Sequence, residues 1–480
     1  MKQSWPAYTI VASVFLMLIS GSLLTTGMFM DGLIYGNVAD NMASGVCTFW
    51  HPTHSPSLHA DFYEHPPLVM SLLAMFYKLF GTHIWVTRLF TMVTTVLTAW
   101  LTVRLWHRMG YDRRTGWLPL LLWVLIPAMS RNAHDNMLEC TMVIFVLAAV
   151  LSLLPREGGK RLLHSALGGV FLFLAFLCKG FTGLYPFALP MIVWAVDWAM
   201  GQHTHVGRAL LRALSDTLMS VGTFALCFAA TGLLFPEAVT YFETYLSNQV
   251  LGNLDTPIVD NRWTIVKKFF EQTIILWALA IVVVGVVKAK SRKRVSRADR
   301  RVFWICFLLV LSGVLPIAIS LKQRGFYILT VYPILAVGIG AIMQEPLTRW
   351  TSTESKKRRN ALIAVAVLAV VGAVALNAVN CGKPGRDVAL QEDMRTIAPL
   401  LEEGEQVGIP LALSQEWSLY AYYYREKHID LKTTDLAQVQ QPLPQHLLTD
   451  GSVDIPADLY AETPLPTQHY KLYVLKNKNT

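Results

Sequence analysis

Residues 7–30, AYTIVASVFLMLISGSLLTTGMFM, and the polar run that follows at once, DGLIYGNVADNMASG at 31–45, decide how this chain folds. The first stretch carries no charge and exceeds the roughly 20 apolar residues that a helix needs to cross a bilayer core. It is too long for the core of a typical cleaved signal peptide, so it reads as an uncleaved first span. The second stretch opens on Asp31, a carboxylate at the mouth of that span.

Apolar runs of this kind recur through the first 380 positions. Of 480 residues, 54% are hydrophobic and 15% charged, where a soluble domain has about a quarter charged. Helices satisfy their own backbone hydrogen bonds in lipid. The chain therefore reads as a polytopic α-helical membrane protein, with spans near 8–28, 84–106, 116–131, 136–154, 163–178, 182–200, 217–235, 271–289, 302–320, 325–344 and 360–379. The formal charge of +9 fits basic loops that orient a membrane protein rather than a nucleic-acid partner. Six cysteines show no CxxC pair, metal spacing or disulfide framework; Cys47 and Cys381 fall on one side and could pair.

The basic loops alternate. Arg104 to Arg114, Arg156 to Arg161, Arg208 with Arg212, Lys288 to Arg301, and Arg349 with Lys356 to Arg359 all fall on one side. Lys/Arg-rich short loops face the cytoplasm, which places the N-terminus inside and the tail after residue 380 outside. Residues 66–81 then form an interfacial or re-entrant helix, because a further crossing there would invert every later loop. Pro66 and Pro67 suit its first turn. Two domains result: a membrane part over 1–380, with an outer loop at 31–83, and a small α/β domain over 381–480. In the latter, VGIPLAL and YKLYVL read as strands, and DMRTIAPLLEEG and EWSLYAYYYREK as helices.

The unusual polar residues collect on the outer side. FYEHPPL, residues 62–68, sets Glu64 and His65 before the prolines, and both side chains can bind metal. The nearby His51, His54, His59 and Asp61 lack the tight spacing of a zinc site. SRNAHDNMLE, residues 130–139, puts Arg131, His134 and Asp135 at a span junction. Ionisable groups at that depth are usually functional, though a wet four-residue loop explains them equally. CKGFTGLYP carries Lys179 and LKQRGFYILTVYP carries Lys322 and Arg324, all against the positive-inside bias. Each could simply snorkel to the interface. Together they form a cation set suited to a phosphate, which Arg can bind bidentately.

The order of these pieces resembles the polyprenyl-phosphate-sugar-dependent glycosyltransferases of the GT-C class, in particular the ArnT-like and protein O-mannosyltransferase-like families. Asp31 with Tyr35 and Ala39 resembles their first-loop acidic motif, and FYEHPPL their aromatic-Glu-Lys-Pro-Pro-Leu motif. SRNAHDNMLE is similar to their second-loop segment, CKGFTGLYP to their Lys-Gly…Pro segment, and LKQRGFYILTVYP, with Tyr327, to their late Lys/Arg…Tyr…Pro motif. The resemblance runs in order over about 1–345. It implies a GT-C fold of about 11–13 transmembrane helices with a periplasmic tail domain, in a bacterial inner membrane. It further implies transfer of a hexosyl or pentosyl group from a polyprenyl-phosphate carrier to a lipid A, glycolipid, polysaccharide or protein acceptor. Asp31 and Asp135 would be catalytic. Lys179, Lys322 and Arg324 would hold the donor phosphate, and Tyr35, His65, Arg131, His134 and Tyr327 would line the site. No nucleotide is implied.

The sequence departs from that pattern at His65, where the ArnT-like motif has lysine. In that family the Glu of this motif and a later-loop histidine are associated with zinc. Glu64 carries over as a candidate ligand of zinc or another divalent metal. The second ligand does not, because histidine is absent from 206 to 427. A transporter or flippase for a lipid-linked or anionic solute is the rival reading. It predicts mid-membrane charges and often an internal repeat, and neither is evident. A scaffold that merely displays its tail domain leaves Asp31 and FYEHPP without a role.

Overall fold

The computed structural model describes residues 4–156, 158–252, 257–291, 295–352, 356–436 and 443–476. Residues 292–294 of the longest basic run lie outside the described residues. The chain forms two compact units. One takes Met1–Ser20, Tyr63–Val69 and Arg88–Val379; the other takes Gly21–Phe62, Met70–Thr87 and Asn380–Thr480.

The first unit is helical. Among the described residues, seven helices are long and apolar enough to cross a membrane: Ile84–Arg108, Arg161–Gly183, Val206–Leu234, Thr264–Val286, Arg297–Ile319, Gly325–Glu345 and Arg359–Asn380. Each coincides with an expected span. The other expected spans are shorter or broken. Trp5–Leu18, Leu138–Leu153 and Leu189–Ala199 are short helices, and 116–131 splits into Trp117–Val124 and Pro127–Asn132. Proline explains the split. The residue before it avoids helical geometry, and Ile126 is extended at φ −77°, ψ 116°. Tyr185–Ala188, with Pro186, is likewise a 3-10 turn before the Leu189–Ala199 helix.

Threonine keeps the Ile84–Arg108 helix compatible with an apolar setting. The buried Thr91, Thr94, Thr95, Thr98 and Thr102 each donate to a carbonyl three or four residues back, at 2.7 to 2.9 Å. This back-bonding satisfies hydroxyls that would otherwise be stranded. At the basic-loop end, Trp106 Nε1 donates to Thr115 Oγ1 (2.9 Å), and Tyr111 stacks on the Trp106 ring. Arg161 and Asp216 form an ion pair at 2.7 Å, and Arg301 grips Asp197 through two nitrogens.

The second unit contains a five-stranded sheet, from β1 (Gln406–Pro410) through β2 (Asp430–Thr434), β3 (His446–Thr449) and β4 (Tyr460–Glu462) to β5 (Lys471–Leu475). Their order is β2-β1-β3-β5-β4. β1 runs parallel to β2 and β3, while β5 is antiparallel to β3 and β4. β1 and β5 are the two strands read from the sequence. Val388–Ile397 and Trp417–Lys427 are the two helices, the first beginning five residues early and ending at Ile397. Buried Asp393 accepts from the backbone N–H groups of Gln468, His469 and Tyr470 at 2.7 to 2.8 Å, which pins the lead-in to β5.

The Met30–Ser44 helix packs on Trp417–Lys427. Gly36 makes that approach possible, since a Cβ there would lie 2.8 Å from Arg425 Nη1. The guanidinium donates to the Tyr77 hydroxyl (3.2 Å) and the Thr82 carbonyl (3.1 Å). The expected helix over 66–81 spans Leu68–Phe80. Cys47 and Cys381 are both free thiols, one buried and one exposed.

Candidate functional site

In the first unit, three motifs that are far apart in sequence meet around His65. The Glu64–His65 loop enters the Leu68–Phe80 helix through two buried prolines. Tyr241 holds this loop: its hydroxyl donates to the His65 carbonyl at 2.6 Å, and its ring stands edge-on to Tyr63. Both Lys179 and Lys322 act electrostatically on His65. Burial first, then these two ammonium charges, holds the His65 imidazole well below its ordinary pKa and therefore neutral at pH 7.

Lys179 closes the Arg161–Lys179 helix and is buried. Its ammonium lies 2.5 Å from Glu139 Oε1 and 5.0 Å from the ring centres of both Phe326 and Tyr327. The Lys-Gly pairing has a backbone reason. Gly180 takes φ +75°, and a Cβ there would fall 1.9 Å from the Tyr245 hydroxyl, so only glycine fits. Lys322 is half-buried on the 320–324 loop, and Arg324 is exposed. Gln323 between them is fully buried. It accepts from Ile265 N at 2.7 Å and donates to the carbonyls of Arg262 (2.7 Å) and Ser320 (2.8 Å), fixing the loop that carries both cations.

Asp135 is 8% exposed and faces Arg88, whose Nη1 lies 3.6 Å from Asp135 Oδ1. His134 Nε2 is 3.5 Å from the same oxygen, and Arg88 also donates to the His134 carbonyl. Arg131 is exposed and donates to Gln272 Oε1 at 2.7 Å. The second-loop residues thus form an ordered knot, with Asn136 in the left-handed region at φ +54°. Asp31 and Tyr35 belong to the second unit. They sit one turn apart on the Met30–Ser44 helix, Asp31 half-buried, Tyr35 buried with its ring edge-on to Phe62 at 6.2 Å.

Glu139, Arg88, Gln323 and Tyr241 take roles here that the motifs alone do not reveal. Glu139 had a signal. It is a carboxylate in the first turn of an apolar helix, where a counter-ion is required. The Leu138–Leu153 and Arg161–Lys179 helices follow one another and pack together. An antiparallel hairpin brings the start of the first to the end of the second. Gln323 had none, since neutral amides are common in loops.

Among the described residues, no three His, Cys, Asp or Glu side chains group closely enough to hold a metal ion. Glu64 and His65 therefore do not complete the kind of donor set that zinc takes. What the cluster offers is positive charge: Lys179 seated on aromatic faces, Lys322 on a braced loop, and a neutral imidazole beside them.

Residues 64–215 match the family model described as dolichyl-phosphate-mannose-protein mannosyltransferase. The fold matches the crystal structure of ArnT from Cupriavidus metallidurans bound to undecaprenyl phosphate, with TM-score 0.66 at 14% identity, covering 98% of each chain. It also matches the archaeal oligosaccharyltransferase AglB from Archaeoglobus fulgidus in complex with an inhibitory peptide and a dolichol-phosphate. That match has TM-score 0.50 at 11% identity, covering 94% of this chain and 70% of that one. No curated protein matches the chain by sequence. The family match covers residues 64–215, and the likeness to ArnT runs over the whole chain as a shared fold.

Proposed function

We propose that this protein transfers a single sugar from a polyprenyl-phosphate carrier to an acceptor at the outer face of a bacterial inner membrane. The observation that carries this reading is the convergence of Lys179 and Lys322 on His65, with Tyr327 against Lys179. The ArnT neighbour was crystallised with undecaprenyl phosphate and the AglB neighbour with dolichol-phosphate, which supports a lipid phosphate as ligand. The acceptor oxygen forms a bond to the anomeric carbon as that carbon's bond to the carrier phosphate oxygen breaks. The electron pair leaves with the phosphate. Charge that grows on this leaving group is what fixed cations stabilise best; Lys179, Lys322 and Arg324 are the candidates.

Asp31 keeps the role that the resemblance implies, base or orienter for a hydroxyl acceptor; a phosphate acceptor needs no strong base. Asp135, held by Arg88, would orient sugar or acceptor. The alternation of basic loops supports a cytoplasmic N-terminus and a periplasmic tail domain. A reporter active only in the cytoplasm, fused after Asn380, should therefore stay silent.

The function is tested by mass spectrometry of lipid A and envelope glycoproteins from a deletion strain complemented with wild type or Asp31→Asn. One glycosylated species should vanish in the deletion, return with wild type and stay absent with Asp31→Asn at equal expression. An unchanged glycome, with a polyprenyl-linked sugar accumulating inside, would favour a flippase instead.

A further inference from the structure

The Glu139 carboxylate is fully buried, and neither oxygen meets hydrogen-bond geometry with any described residue, although Oε1 is in ionic contact with Lys179 at 2.5 Å. Lys179 Nζ likewise meets hydrogen-bond geometry with none of the described residues. The Phe326 and Tyr327 rings lie 5.0 Å from the ammonium. Aromatic faces attract a cation but do not replace an anion in a buried seat. Glu139 also borders a cavity of about 20 Å³, lined by Thr95, Thr98 and Cys140 among apolar side chains. Its walls are almost wholly apolar, and the Thr95 and Thr98 hydroxyls donate back to their own helix.

We propose that Glu139 is a positioning residue: its buried carboxylate, in contact with the Lys179 ammonium, keeps that ammonium charged and seated to receive the donor phosphate. This rests on Lys179 being a phosphate-binding cation, as proposed above. Without Glu139 the buried ammonium would lose the carboxylate 2.5 Å away, and a buried amine without a counter-ion favours its neutral form. The group would then bind phosphate only where the pH is low enough to restore its proton. Titratable groups near the pair include Cys140, which also feels Asp135, His65, which also feels Lys322, and Tyr327 and Tyr245.

The test measures binding of undecaprenyl phosphate, without sugar, to the purified full-length protein in nanodiscs from pH 6 to 9. Each variant is read as a ratio to wild type at the same pH, because the phosphate itself titrates near 6. Glu139→Gln should bind at least tenfold more weakly at pH 9 and recover most of that loss at pH 6. Glu139→Asp should stay within about threefold of wild type throughout. Lys179→Met should lose at least tenfold at every pH, and adding Glu139→Gln to it should cost nothing more, the mark of one residue acting through the other. A flat, wild-type profile for Glu139→Gln would overturn the inference while leaving the phosphate site intact. Wild-type binding by Lys179→Met would remove Lys179 from the phosphate site itself. If Glu139→Gln does not fold, Glu139→Asp decides: a loss as large as that of Lys179→Met overturns the inference.

Discussion

The Tyr241 hydroxyl donates to the His65 carbonyl over 2.6 Å, although 176 residues separate the two. This bond ties the loop holding Glu64 and His65 to the Pro236–Tyr245 helix. Tyr241→Phe keeps the ring against Tyr63 and removes only the donor. The orphaned carbonyl should cost about 1–3 kcal/mol of stability. Because the loop borders the cations, the Michaelis constant for the donor should rise more than the turnover number falls. Thermal unfolding alongside steady-state kinetics checks both.

Gln323 and Lys322 are adjacent in sequence but opposite in character, one fully buried with three hydrogen bonds and the other half-buried beside His65. Lys322→Ala should leave the melting temperature unchanged and weaken binding of sugar-free polyprenyl phosphate by roughly 1.5–3 kcal/mol, the scale of a hydrogen bond to a charged group. Arg324→Ala should act alike if Arg324 shares the phosphate. Gln323→Ala should lose both stability and binding, because it releases the loop that carries both cations. Equal binding by Gln323→Ala and wild type would detach the loop's rigidity from the site.

The sequence makes the cations legible because each breaks a rule: Lys179, Lys322 and Arg324 all oppose the positive-inside bias. It makes the seven long helices legible because their apolar runs are unbroken. What stays hidden is partnership. Asp135 draws attention as a loop carboxylate, yet it is Glu139, one turn into an apolar helix, that meets Lys179. Arg88 hides in the first turns of the Ile84–Arg108 helix, and its role appears only when Asp135 is seen against it. The broken spans hide for a similar reason. Window hydropathy averages over Pro127, whereas the backbone at Ile126 does not. In the tail domain, β2, β3 and β4 are three to five residues long and mix polar with apolar positions, so no run announces them.

His54 gives the second unit an acid limit. It is fully buried, and burial pushes its pKa from 6.5 down to about 4. Nδ1–H points to the Leu58 carbonyl (3.3 Å), so Nε2 accepts from the Asn37 amide (3.2 Å), which also donates to Ala421 O. A proton on Nε2 would set donor against donor. Because the folded value lies below the unfolded one, the stabilisation is complete above about pH 6.5 and is lost as pH falls toward 4. The loss approaches about 3 kcal/mol at roughly 1.4 kcal/mol per pH unit. Melting of the tail domain in the full-length protein should therefore drop steeply between pH 6.5 and 4. His54→Gln should be less stable at pH 7.5 but show a flatter profile.

His65 stands where the ArnT-like pattern has lysine, and this exchange is open to a direct reading. The imidazole sits beside Lys179 and Lys322 and is held neutral at pH 7. A neutral amide of similar reach should therefore replace it, so His65→Gln should bind sugar-free polyprenyl phosphate within about threefold of wild type between pH 7 and 8. His65→Lys adds a third ammonium to the cluster. In the empty protein it is repelled by its two neighbours, and the melting temperature should fall. With phosphate bound, the added charge should be compensated, so affinity should rise and become more sensitive to salt, which screens partly exposed charges. Opposite signs for stability and phosphate affinity in the same variant are the expected result, measured by thermal unfolding with and without lipid phosphate at two salt concentrations. Lower stability without an affinity gain would mean that the carrier phosphate binds beyond the reach of residue 65.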